Sequence, residues 1–158
     1  MTDLSSQGNP GTPSPVPRFA EAVTPGPTPE PERVPRLTGV YDAEGSVLGE
    51  LRYFLRARLG GAHCALCDIT HGRVREKPSW RRCRSELPVP FDAVHLDERA
   101  PELVTLTDGK TPCIVAHATR GDQILLGPDE LEACRGSPER LVAVIAQTAH
   151  AHGLELAP

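Results

Sequence analysis

The chain has 158 residues, 39 % of them apolar, and a formal net charge of −4. These values exclude a collagen-like chain, a disulfide scaffold and a wholly disordered chain, and they argue against a globally basic nucleic-acid-binding protein. Nine of the 17 prolines fall in residues 1–36, so the composition predicts a disordered Pro-rich tail followed by a folded domain over residues 37–158.

The start of the chain has neither the basic segment nor the apolar core of a secretory signal. The sequence also holds no run of about 18 apolar residues that could span a membrane. We therefore expect a cytoplasmic protein without a membrane partner, whose cysteines stay reduced unless they carry redox or metal chemistry. The alternating prolines of the tail favour extended polyproline segments, which would act either as a spacer or as a ligand for an aromatic groove.

The first predicted elements of the domain are a strand and two helices. Residues 37–42 form a short apolar run closed by a turn, which predicts a strand. Apolar residues then recur at helical spacing over residues 47–59, after Ser46 as a candidate N-cap, and predict an amphipathic helix. A shorter helix is predicted over residues 79–87, where Pro88 stops it.

The second half of the domain predicts strands followed by a final helix. Residues 91–96 alternate like a strand, and residues 101–106 indicate a short helix. Residues 113–117 and 123–126 predict a hairpin, because the glycine between them permits a tight turn. A last helix begins at Ser137, with the proline after it at the first helical position.

The predicted order is β-α-insert-α-β-α-β-β-α, an α/β fold with the insert at about residues 60–87. From residue 37 to residue 153 this order resembles the thioredoxin superfamily, whose core is β-α-β-α-β-β-α. The dipeptide Thr111-Pro112 directly before a strand resembles the loop that carries a cis proline in that family, so the resemblance implies a cis bond here. The redox CxxC of the family opens its first helix, and no cysteine stands at the start of the predicted 47–59 helix.

The chemically richest segment carries Cys64, Cys67 and His71 in C-x2-C-x3-H spacing. Two thiols separated by two residues can bind one metal ion, and His71 would supply a third ligand of a tetrahedral zinc site. The pair is expected in the loop that follows the predicted 47–59 helix. Three residues are candidates for the fourth ligand, namely Cys83, His63 and Asp68.

Three functions are compatible with this insert. The first is a structural zinc site that orders a basic surface for a protein partner. The second is a thiol–disulfide oxidoreductase that uses Cys64 and Cys67 on a thiol substrate, where the thiol with the lower pKa attacks and the other resolves the mixed disulfide. The third is phosphate or nucleic-acid binding beside Trp80, since residues 71–84 carry six basic residues and one acid. The candidate anion patch consists of Arg73, Arg75, Arg81 and Arg82.

Structural roles are expected for most of the remaining cysteines and for the histidines on predicted strands. Cys113 is either a strand residue or, if the fold brings it close, a resolving partner for the dithiol. Cys134 is expected to be structural. His95 and His117 lie on predicted strands and are expected to have their hydrogen bonds satisfied there.

Overall fold

The computed structural model describes residues 30–43, 64–72 and 75–158. Within these ranges the chain forms a mixed α/β domain, as predicted, and no helix is long and apolar enough to cross a membrane. In chain order the elements are β1 Glu32–Val34, β2 Arg36–Val40, α1 Ala65–Thr70, α2 Pro78–Ser85, β3 Phe91–Val94, a 3₁₀ turn at Leu96–Glu98, α3 Pro101–Thr107, β4 Cys113–Ala118, β5 Gly121–Leu126, α4 Pro128–Ala133, α5 Pro138–Ala151 and β6 Leu154–Leu156.

The central sheet has four strands in the order β3-β2-β4-β5. Strand β2 is parallel to β3, with Leu37 opposite Phe91, and antiparallel to β4, with Val40 opposite Cys113. Strands β4 and β5 form the predicted antiparallel hairpin. Because parallel neighbours need a long crossover, the chain between β2 and β3 has to pass over one face of the sheet, and α1 and α2 lie in that crossover.

The two faces of the sheet are covered by different helices. Side chains alternate along β4, so Ile114 lies in the larger core cluster whereas Cys113 and Val115 lie in a smaller one. The larger cluster contains buried residues of α1, α2 and α5, among them Leu66 and Trp80. Helix α3 covers the smaller cluster with two leucines. The segment that carries Cys64 therefore lies on the opposite face of the sheet from Cys113.

A second, two-stranded sheet joins the two ends of the described chain. Strand β1 is parallel to β6, and Glu32 lies opposite Leu154. Val34 at the end of β1 is completely buried, so the folded part begins before the predicted boundary at residue 37. Three-residue strands are too short to show an alternating pattern, and the prolines around β1 led to its assignment to the tail.

Several predicted elements are confirmed with shifted ends. The helix predicted at 79–87 is α2, which begins one residue earlier because Pro78 occupies its first turn. Helix α5 begins as predicted: Ser137 is its N-cap, and its hydroxyl accepts a hydrogen bond from the backbone N–H of Arg140. The Thr111–Pro112 peptide bond is cis, as expected.

One helix was not predicted, and two predictions fall on residues outside the described ranges. Helix α4 was not predicted, although Pro128 after Gly127 is a helix-start signal and Glu130 accepts a hydrogen bond from the Gly127 N–H. The predicted helix over residues 47–59 lies outside the described residues, as do residues 1–29 of the predicted tail.

Gly39 generates a test of how closely the sheet packs on α1. A Cβ atom at this position would lie 2.7 Å from Cζ of Phe91 and 3.2 Å from Cδ2 of Leu66. We expect Gly39→Ala to lower the free energy of unfolding by about 1–3 kcal/mol, because overpacking forces neighbouring side chains to shift. Denaturant-induced unfolding measures this change.

Gly72→Ala is the matched control for that test. Its added Cβ would lie 3.6 Å from the backbone oxygen of Arg75, an ordinary contact, and we expect a change below about 0.5 kcal/mol. Equal stabilities of Gly39→Ala and the unmodified protein would show that the close approach at β2 is not a packing constraint.

Candidate functional site

Helix α1 begins at a disulfide bond between Cys64 and Cys67, whose Cα atoms are 5.2 Å apart. Cys64 is the N-cap residue, and its Sγ accepts a hydrogen bond of 3.2 Å from the backbone N–H of Cys67 in the first turn. The pair therefore opens a helix, and the expectation of a loop position was wrong. Helix α1 has little sequence signal, because six residues show too little periodicity and cysteine is not a preferred N-cap.

The disulfide is held between the core and the surface by a well-anchored helix. Leu66 and Ile69 of α1 are completely buried, whereas Cys64 is 9 % exposed and Cys67 is half-buried. The ammonium group of Lys77 donates to the backbone oxygens of Asp68 and Gly136, and so ties α1 to the turn after α4. This arrangement fixes the position of the two sulfur atoms relative to the rest of the domain.

A buried polar network fixes the other end of α1. The Tyr41 hydroxyl donates to Oγ1 of Thr70 at 3.0 Å, and the Thr70 hydroxyl donates to the Leu66 carbonyl at 2.8 Å. Since that donation uses the only hydroxyl hydrogen of Thr70, Nδ1 of His71 donates in its 2.8 Å bond to Thr70 Oγ1. Burial raises the pKa of Tyr41 to about 12, so Tyr41 stays a neutral donor at physiological pH.

The structure brings together only part of the predicted metal set. Cys64 and Cys67 are bonded to each other, while Nδ1 of His71 bonds Thr70. Cys83 is buried in the core on α2, and His63 lies outside the described residues. Over residues 30–43, 64–72 and 75–158, no group of three or more His, Cys, Asp or Glu side chains could hold a metal ion.

The cis-proline loop lies at the same end of the sheet as the anchor of α1. The loop leads directly into β4, whose first residue Cys113 is opposite the last residue of β2. The Thr111 hydroxyl donates to the Asp42 carboxylate at 3.2 Å, and the preceding Tyr41 bonds Thr70 of α1. The two residues that follow β2 therefore hold the cis-proline loop on one side and α1 on the other.

The candidate anion patch is weaker than the local charge suggests. Arg82 forms an ion pair of 3.5 Å with Glu139, an acid that lies outside residues 71–84. Arg84 pairs with Glu76 at 3.1 Å, and Lys77 is occupied by backbone oxygens. Arg75 and Arg81 are exposed, and Arg73 lies outside the described residues. Two of the basic side chains in residues 71–84 are thus paired with acids, and a third is bonded to backbone oxygens.

The other cysteines are buried and separate from the disulfide. Burial raises the pKa of the Cys113 thiol to about 11, and this residue lies on the opposite face of the sheet, which removes it as a resolving partner for Cys64. Burial also raises the pKa of Cys83 and of Cys134. The Cys134 thiol donates to the backbone oxygen of Glu130, in agreement with its predicted structural role.

The strand histidines have the hydrogen bonds expected of structural residues. His117 contacts Thr38 through Nε2 at 2.7 Å and Asp122 through Nδ1 at 2.9 Å. His95 caps the 3₁₀ turn together with Glu98. Sequence reasoning missed the roles of Tyr41, Thr70 and Lys77, because each depends on a partner that only the fold brings near.

No protein-family model, no curated protein and no solved structure matches the chain. The function has to be inferred from the chemistry of the site itself. That chemistry is a disulfide at the start of a helix whose other end is held by the strand end beside the cis-proline loop.

Thiol labelling under native conditions tests the division of the five cysteines. After reduction at pH 8, we expect Cys64 and Cys67 to react rapidly with iodoacetamide, because Cys67 is partly exposed and Cys64 accepts a backbone hydrogen bond that stabilises its thiolate. Cys83, Cys113 and Cys134 should react slowly, because burial raises each pKa and keeps little thiolate at this pH. Mass spectrometry of timed digests identifies the labelled sites. Rapid labelling of Cys113 would contradict the assignment.

Proposed function

We propose that the protein is a thiol–disulfide oxidoreductase in which Cys64 and Cys67 are the redox pair. The observation that carries this proposal is their disulfide at the start of α1, where a backbone N–H is directed at the Cys64 sulfur. In the reduced protein one thiolate attacks a substrate disulfide and releases one substrate thiol. The second cysteine then attacks the mixed disulfide, forms the Cys64–Cys67 bond and releases the other substrate thiol.

Cys64 is the attacking cysteine in this proposal. Greater exposure would favour Cys67, but the thiolate is the nucleophile and hydrogen bonding to a charged form stabilises it. The N–H of Cys67 supplies such a bond to Cys64. Cys67, which packs partly against the core, is placed to resolve the mixed disulfide from within the same turn.

We further infer a thioredoxin-like architecture for the domain. The CxxC pair opens α1, the first described helix in the crossover between the parallel strands β2 and β3, which supports this architecture. The cis bond at Thr111–Pro112 directly before β4 supports the same assignment. The strand-helix order through the β4–β5 hairpin to α5 agrees with the family core.

One experiment distinguishes the oxidoreductase from a zinc site formed by the same two thiols, because the two hypotheses predict opposite results. Protein purified under reducing conditions without chelator should contain far less than one zinc per chain, and it should reduce bis(2-hydroxyethyl) disulfide with dithiothreitol as the electron donor. We expect Cys64→Ser to lower this turnover by about 100-fold or more, because the nucleophile is lost. Elemental analysis and a coupled thiol assay measure the two quantities.

Cys113→Ala is the matched control, since it removes a thiol from the opposite face of the sheet and should leave turnover unchanged. One zinc per chain that is lost in Cys64→Ser, together with absent turnover, would replace the proposal by the zinc site. Metal-free protein without turnover would assign both cysteines a packing role.

A further inference from the structure

A small groove lies beside the disulfide, between α1 and the turn that follows α4. Its volume is about 190 Å³. One wall begins at Ala65, the residue bonded directly to Cys64, so the groove starts next to the proposed nucleophile. The lining residues are Ala65, Asp68, Leu131, Glu132, Arg135 and Gly136.

The groove has fixed walls and an apolar base. Ala65 and Leu131 are buried, and Lys77 joins the two walls by donating to the backbone oxygens of Asp68 and Gly136. A water molecule occupies about 30 Å³ in the liquid, and cofactor pockets begin at about 300 Å³. The space therefore fits a group of a few heavy atoms, such as the end of a small substrate.

Arg135 carries the charge in this groove that is available to a ligand. Its backbone is left-handed, with φ of 51°, a conformation that glycine adopts more easily than any side-chain-bearing residue. Arg135 follows the C-cap residue of α4, where helices commonly end with a left-handed residue. Among the described residues its guanidinium forms no hydrogen bond or ion pair, whereas Asp68 and Glu132 each have an interaction. Arg135 is thus a lining side chain whose charge is available to an anionic group.

We propose that Arg135 binds the carboxylate of a small disulfide substrate and sets the specificity of the reaction at Cys64. The inference rests on the proposed function. The Cys64 thiolate attacks one sulfur of the substrate and releases a carboxylate-bearing thiol. Cys67 then displaces the second such thiol, and an external dithiol returns two electrons and two protons to the pair. Guanidinium and carboxylate form paired, charge-assisted hydrogen bonds, which explains arginine at this position.

Three disulfides of similar size and different charge test the proposal. They are 3,3′-dithiodipropionate (anionic), bis(2-hydroxyethyl) disulfide (neutral) and cystamine (cationic). Arg135→Asn removes the charge, and asparagine tolerates the left-handed backbone. For this variant we expect kcat/KM to fall about 3–10-fold for the anionic substrate, mainly through KM, and less than about 2-fold for the other two. Arg135→Lys should retain part of the preference.

Arg120→Asn, the same change in the exposed β4–β5 turn, is the control and should alter none of the three rates. An equal effect of Arg135→Asn on all three substrates, or no effect on the anionic one, would overturn this inference and leave the oxidoreductase proposal standing. Absent turnover of all three by the unmodified protein would overturn the oxidoreductase proposal, and the assignment of Arg135 with it.

Discussion

The close packing of α1 on the central strand β2 is the constraint on which the rest of the site depends. Gly39 leaves room for Phe91 of β3 at a distance that a Cβ atom would not permit, and Leu66 of α1 packs so closely beside it that a Cβ would be tight. The helix that carries the disulfide therefore rests directly on the sheet. The two residues that follow β2 hold the neighbouring elements in place. Tyr41 holds α1 through Thr70, and the residue after it holds the cis-proline loop. One strand end therefore holds both the cis-proline loop and the end of the helix whose start carries the disulfide.

Burial separates the five cysteines into two chemical groups. Three free thiols, those of Cys83, Cys113 and Cys134, are buried where the low polarity disfavours thiolate and raises the pKa. The other two lie at a helix start, where Cys64 accepts a backbone hydrogen bond. In the proposed function, thiol reactivity is thus confined to this one place, beside the groove that Arg135 lines.

Sequence patterns predicted the elements with strong local signals. The β4–β5 hairpin has its glycine turn, α5 has Ser137 and Pro138 at its start, and the Thr-Pro dipeptide correctly indicated the cis bond. The patterns failed for α1, β1 and β6, because elements of three to six residues are stabilised by tertiary contacts more than by their own periodicity. The C-x2-C-x3-H spacing singled out the two cysteines that the structure joins in a disulfide, but it could not show that Nδ1 of His71 bonds Thr70.

The most direct test of the central claim is to trap the mixed disulfide. Cys67→Ser, incubated with bis(2-hydroxyethyl) disulfide, should accumulate one adduct on Cys64, because the resolving thiol is missing and the attacking thiolate remains. Cys64→Ser should form its adduct much more slowly. Intact-mass and peptide mass spectrometry distinguish the two. Faster adduct formation on Cys67, or adducts confined to the buried cysteines, would contradict the assignment of Cys64 as the nucleophile.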